Sequence, residues 1–303
     1  MIFLLYYGAL IFTLFGPLAM SNLDDYLRPF QTAFGRKERL FWAKAYIEGL
    51  LSECARKTIE GIARSLVLPE ALRATDTRQA LQNFIQESPW DEQQVMPGYR
   101  QQIVQRLGRN GVLVIDDIFL LKQGQHSVGV HRQFCTEQRK KVNCQVVTTV
   151  FLVAAEQAAP LAMRLYLPRS WQDNLPRLAK SKVPAEYHQP ASKIQIAVEL
   201  LAQLRAEGLP YQTVAAADSY LRSDVFRQGV ADHGMRLLSD WEKSAHPANE
   251  LVLRVRALTA HLKDTLGLDH FEGRTWRGLH HHLGLVSLAH GYSLQRPLSR
   301  SSS

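Results

Sequence analysis

Two apolar runs of this chain lead into carboxylates, and carboxylates at strand ends can hold a metal. The first run is Gly111-Val-Leu-Val-Ile-Asp-Asp117; the second, Tyr211-Gln-Thr-Val-Ala-Ala-Ala-Asp218, places its Asp 101 residues after Asp117. A continuous run of four apolar residues, three of them β-branched, reads as a strand buried on both faces. Side chains alternate along a strand, so Asp116 and Asp117 point to opposite sides of the sheet, and at least one belongs at the strand's exit. Two such strands side by side would bring Asp117 and Asp218 to one end of a sheet, where hard oxygen ligands suit a divalent cation. The alternative is that these Asp residues only start turns or cap helices.

The surrounding pattern supplies the elements that must position them. From Asn22 to about Gln105 it is helical. Leu23, Tyr26, Leu27 and Phe30 have helical spacing. Phe41 to Leu51 form a second helix and Ile59 to Leu66 a third, ended by Pro69; Leu81, Phe84 and Ile85 mark a fourth. Period-two patterning follows the central strand, over Ser127–Phe134 and Val142–Val153, with Glu137–Lys141 as a charged turn and Arg164–Leu167 as a short strand. Lys193–Glu207 reads as a helix closed by Gly208. After the strand to Asp218 come a helix over Ser223–His233, a short strand Met235–Leu238, a helix Glu250–Leu266 stopped by Gly267, and a helix Trp276–Tyr292. A β meander followed by α-β-α-β-α predicts an α/β domain with a mixed sheet, its two Asp-bearing strands adjacent and parallel.

At 303 residues the chain can hold one large domain with a smaller partner, and a net charge of +8 makes nucleic acid or another anionic surface a plausible partner. Three scattered cysteines without a CxxC spacing fit a reducing, cytoplasmic compartment and exclude a cysteine-ligated zinc finger. Residues 1–20 form an apolar leader without charge, interrupted by Gly16-Pro17 and followed by Arg28, Arg36, Lys37 and Arg39. It reads either as a segment just long enough to span a bilayer or as translated upstream sequence ahead of a start at Met20. A helical region over 21–108, the mixed-sheet domain over 109–294 and a loose polar tail over 295–303 complete the organisation.

Several segments carry a family likeness. Asp116-Asp-Ile-Phe-Leu-Leu-Lys-Gln-Gly124, His126-Ser-Val-Gly-Val130, Val142-Asn-Cys-Gln-Val146, Arg164-Leu-Tyr-Leu-Pro168 with Ser170-Trp171, and Gly267-Leu-Asp-His-Phe-Glu-Gly-Arg-Thr-Trp-Arg-Gly278 followed by His280-His-His282 resemble bacterial insertion-sequence transposases of the DDE superfamily. The likeness runs from about Tyr26 to Tyr292, and Ser88-Pro-Trp-Asp91 belongs to it. It implies an RNase H-like core and strand cleavage and transfer of duplex DNA, with Mg²⁺ or Mn²⁺ held by carboxylates and a homodimer as one option. By that pattern Asp117 is the first catalytic Asp, Asp116 its neighbour and a lesser metal ligand, and Asp218 the second catalytic Asp. Lys122, shortly after the first Asp, would contact phosphate.

The third carboxylate is where the chain departs from the family. Relatives carry a Glu seven residues before the Lys of Lys-x-x-Leu-Gly-Leu-Asp-His, and Lys263 places Arg256 there, only 38 residues after Asp218. Ile118 likewise replaces the family's Thr. An Arg in a metal pocket repels a second ion. Glu242, Glu250 and Glu272 are substitutes to consider, though Glu250, six residues from Arg256, points away from that helix face. Consecutive helical residues diverge by about 100°, so His280, His281 and His282 cannot chelate one ion; they read instead as a polar helix start touching DNA phosphate. Arg274 and Arg277 suit phosphate by their forked geometry, with a surface salt bridge as the alternative. Two functions follow: a DNA transposase acting on its element's ends, and a catalytically inactive transposase-derived DNA-binding remnant. A membrane-tethered protein is a third, should the leader be real.

Overall fold

The computed structural model describes residues 22–68, 76–238 and 247–295. The apolar leader, Pro69, Glu242 and the tail after Gln295 lie outside the described residues. Among the described residues no helix is long and apolar enough to cross a membrane.

The chain opens with short helices α1 (Leu23–Leu27) and α2 (Gln31–Phe34), separated by a 3-10 turn at Arg28–Phe30 that contains Pro29. Then come α3 (Lys37–Leu51), α4 (Ile59–Ser65) and α5 (Thr77–Gln86), the last two capped by the side chains of Thr58 and Asp76. A further helix, α6 (Glu92–Leu107), begins at an Asp91 cap and tolerates Pro97 in its second turn.

The sheet is built around β1 (Val112–Leu121). β2 (His131–Cys135) pairs with the start of β3 (Lys140–Ala154), and β4 (Gln157–Tyr166) pairs with the remainder. Short helices α7 (Arg169–Gln172) and α8 (Leu175–Lys180) lead to α9 (Lys193–Ala206), which starts in a reciprocal Ser192–Gln195 capping box. β5 (Thr213–Ala216), α10 (Asp218–Leu221), α11 (Asp224–Asp232) and β6 (Arg236–Leu237) follow, then the long helices α12 (Pro247–Leu266) and α13 (Trp276–Gln295). Gly267 ends α12 at φ 63, a left-handed conformation that few other residues adopt, and a Cβ there would strike Lys57.

β1 runs antiparallel to β3 and parallel to β5, and β6 is parallel to β5. The α/β class, the six-stranded mixed sheet flanked by helices and the helical N-terminal region therefore match the RNase H-like expectation. α9 lies against β3 and β4, α12 against β1 and β5, and α13 against β4, α3, α5 and α6. One apolar core runs from Leu23 to Tyr292, joining the helical region to the sheet.

Three strand boundaries differ from those read in the sequence. β1 does not stop at Asp117, because Ile118–Leu121 is apolar and continues to pair with Cys144–Val147. Asp116 and Asp117 thus sit mid-strand, not at its exit. The sheet does open beside them, since pairing with β5 ends at Ile115 and Ala216. The alternating run Ser127–Phe134 becomes a strand only at His131, because Ser127–Val130 forms a turn with Gly129 at φ 70. β4 begins at Gln157, seven residues before the expected Arg164; Pro160 and its alanines hide a strand that shifts register opposite Val150 and Phe151.

Candidate active site

The pleat of β1 sends its two carboxylates to different faces. Asp116 turns towards α12, where Arg256 Nε donates to its Oδ2 at 2.7 Å. Its side chain is only 10% exposed, while that of Arg256 is 48% exposed. Burial raises the Asp116 pKa, and the guanidinium opposes that shift. The Arg256 pKa is raised in turn, first by its bond to Asp116, with Glu137 and Asp218 adding to the pull. Arg256 is thus bonded to one carboxylate and acted on by the charge of two more. Glu137 is held in place by Lys263 Nζ at 2.8 Å, on the same side of α12 two turns beyond Arg256.

Asp117 occupies the other face, towards α9. It accepts from Lys193 Nζ at 2.6 Å, from the Tyr220 hydroxyl at 2.6 Å and from Thr148 Oγ1 at 3.3 Å. Thr148 is its register partner on β3, and Tyr220 comes from α10. Burial, followed by the Asp117 charge, raises the Tyr220 pKa well above the phenol range, so the hydroxyl remains a donor. Asp218 is exposed at the start of α10, just past Ala217, whose N–H donates to the Ile115 carbonyl at 2.9 Å.

The strands that lead to Asp117 and Asp218 are thus neighbours, and the Asp218 charge adds to the pull on Arg256. Glu250 is exposed on α12, and Glu272 pairs with Arg56 at 3.2 Å in the loop before α13. Among the described residues no group of three or more His, Cys, Asp or Glu is placed to hold a metal ion. A pair of divalent ions needs several oxygen ligands and no fixed cation between them. With Arg256 on Asp116 and Lys193 on Asp117, the residues present do not fit such a centre.

A profile of the DDE superfamily endonucleases matches residues 29–246. The chain belongs to that superfamily. No curated protein and no solved structure matches it. The matched stretch of this DDE endonuclease-family chain contains Asp116, Asp117 and Asp218 and stops just before α12, leaving Arg256 beyond it.

The other site residues read from the sequence fall elsewhere in this DDE-family fold. Lys122 Nζ donates to the Phe271 carbonyl at 2.6 Å, tying the end of β1 to the loop before α13, and burial lowers its pKa. Arg274 is exposed and lines a hollow of about 460 Å³ with Arg56, Lys122 and His126. Arg277 is exposed at the first turn of α13, 3.4 Å from the Glu87 carbonyl.

The three histidines are buried, which removes them from any phosphate contact. His280 donates from Nδ1 to the Trp276 carbonyl and accepts the Leu165 N–H. His282 accepts from the Tyr46 hydroxyl and donates from Nε2 to the carbonyls of Gly267 and Leu268. His281 stacks on Trp90 at 3.7 Å between the carbonyls of Ile85 and Trp90, which compete for the single N–H of a neutral ring. Burial lowers their pKa values to about 4, about 3 and about 4 in chain order.

Glu137, Lys193, Tyr220 and Lys263 complete the two faces and were not singled out as site residues in the sequence. Tyr220 stands two residues after Asp218, the one local signal among them. The others arrive from distant elements.

Proposed function

We propose that this chain is a transposase-derived DNA-binding protein of the insertion-sequence type whose cleavage centre is disabled by a built-in cation. The observation that carries the reading is the Arg256–Asp116 bond at 2.7 Å, with the Asp218 charge also acting on the guanidinium. In relatives of the resembled type a carboxylate stands where Arg256 stands, and Mg²⁺ or Mn²⁺ supplies the activated nucleophile and stabilises the leaving oxygen. Here the guanidinium neutralises the carboxylates that would attract the ion, while Lys193 does the same for Asp117. Family membership and a net charge of +8 support duplex DNA as the partner, with Arg274 and Arg277 as exposed phosphate contacts.

A second reading, an active transposase, is favoured by one feature: the first Asp lies on β1 and the second directly follows β5, its parallel neighbour. Strand nicking separates the two. A labelled duplex carrying the DNA that flanks the gene is incubated with Mg²⁺ or Mn²⁺ and the wild type, Arg256→Glu or Asp218→Ala. The disabled reading expects no wild-type nicking above the Asp218→Ala background, with at most partial activity in Arg256→Glu. Robust wild-type nicking that vanishes in Asp218→Ala overturns it.

A further inference from the structure

The β2–β3 hairpin carries charge that the carboxylate site does not use. β1 pairs with β3 only from Cys144 onward, whereas β2 pairs with Lys140–Cys144. The hairpin is therefore a two-stranded ribbon extending past the end of β1. Cys135 and Cys144 pack on one of its faces with Phe119 and Val146, which anchors the ribbon to the sheet. Arg132 and Phe134 lie on the opposite face, and the register sets Lys141 directly across from Phe134. Arg139 sits in the turn at φ 50, a left-handed position where Gly or Asn would be more relaxed.

Arg132, Arg139, Lys140 and Lys141 are exposed, and none of their side chains makes an ion pair or hydrogen bond among the described residues. The one acid of the hairpin, Glu137, is engaged by Lys263 of α12. That contact places the ribbon's turn beside the Arg256 site. Phe134 is 56% exposed on the same face as Arg132 and Lys141.

We propose that this ribbon is a DNA-binding arm that enters the major groove of duplex DNA. A two-stranded β-ribbon fits that groove, cations along it meet the bordering phosphates, and an aromatic ring can meet thymine methyl groups. A membrane-surface element would present several apolar side chains on one face, and this face has Phe134 alone. The inference rests on the DNA-binding reading above and adds the surface that does the binding.

The test uses the full chain and a fluorescent duplex, with anisotropy followed across a salt series. The wild type is compared with Arg132→Ala/Arg139→Ala/Lys140→Ala/Lys141→Ala, and thermal melting verifies that both are folded. Deleting one cation that pairs with a phosphate lowers the slope of log K against log salt by about 0.9, so the fourfold variant should fall by up to about 3.6. Independently, a photo-crosslinking p-benzoylphenylalanine at position 134 should capture the duplex; this decides the matter if the fourfold variant proves unfolded. Wild-type binding with an unchanged slope in a folded variant, or with no crosslink at 134, overturns the arm and leaves the DNA reading standing. Absence of wild-type duplex binding at any salt, or binding to phosphatidylserine vesicles alone, overturns both.

Discussion

The carboxylate pocket of β1 and the histidine row of α13 are both rich in metal-ligand side chains, and they are used in opposite ways. The histidines are sealed in the core, where each ring finds its own partners on a different element: β4, the α5–α6 connection, or α3 with the loop after α12. The carboxylates lie where β5 stops pairing and the sheet opens, and each is met by a cation from a separate helix. Side-chain type alone does not separate structure from chemistry. What separates them is whether the polar groups are closed off by carbonyls or met by basic side chains that reach solvent.

The sharpest way to break the contrast is acid. The folded chain holds His280, His281 and His282 neutral, with pKa values of about 4, 3 and 4, whereas an unfolded histidine protonates near 6.5. A histidine with a depressed folded pKa contributes stability that is fully present above about pH 6.5 and is lost as pH falls towards its folded value. Each ring should cost at most about 1.4 kcal/mol per pH unit in that window, so the three together should cost up to about 4 kcal/mol per unit. Denaturant titrations from pH 7 to 4.5 check this. His282→Ala should reduce the pH dependence while lowering stability at pH 7 by about 2–4 kcal/mol, because it strands the buried Tyr46 hydroxyl and leaves a cavity.

A smaller effect is expected on the Asp117 face. Tyr220→Phe removes one of three donors from a carboxylate whose side chain is 6% exposed, and should cost about 1–2 kcal/mol in denaturant unfolding. The smallest is expected at Arg256. Its side chain is half-exposed and partly screened by water, although the Asp116 carboxylate it meets is buried, so Arg256→Ala should cost about 1 kcal/mol. A loss there as large as at His282 would make Arg256 a structural residue and erase the distinction between the two regions.

Much of the frame was legible because it is local. Gly208 and Gly267 close α9 and α12, and the β-branched run of β1 and its parallel partner β5 follow from pattern and order. Alternation correctly sent Asp116 and Asp117 to different faces. It could not say which face receives α12, because the Arg256–Asp116 bond joins residues 140 apart in sequence. Glu137 was hidden for the same reason: in sequence it is only a turn residue, and its role depends on Lys263 from a remote helix. The burial of the three histidines is likewise non-local, since their partners come from several distant elements.

In the function proposed above, Arg256 stands where a divalent cation would need to sit. Stoichiometric Mn²⁺ binding by the full chain, read from the loss of the free-ion signal in electron paramagnetic resonance, tests it most directly. Wild type is compared with Arg256→Glu, and Asp116→Asn and Asp218→Asn are made in each background. The account predicts no stoichiometric ion in the wild type and a bound ion in Arg256→Glu that disappears when Asp116 or Asp218 is changed. One Mn²⁺ held by the wild type and lost in Asp116→Asn or Asp218→Asn would contradict it.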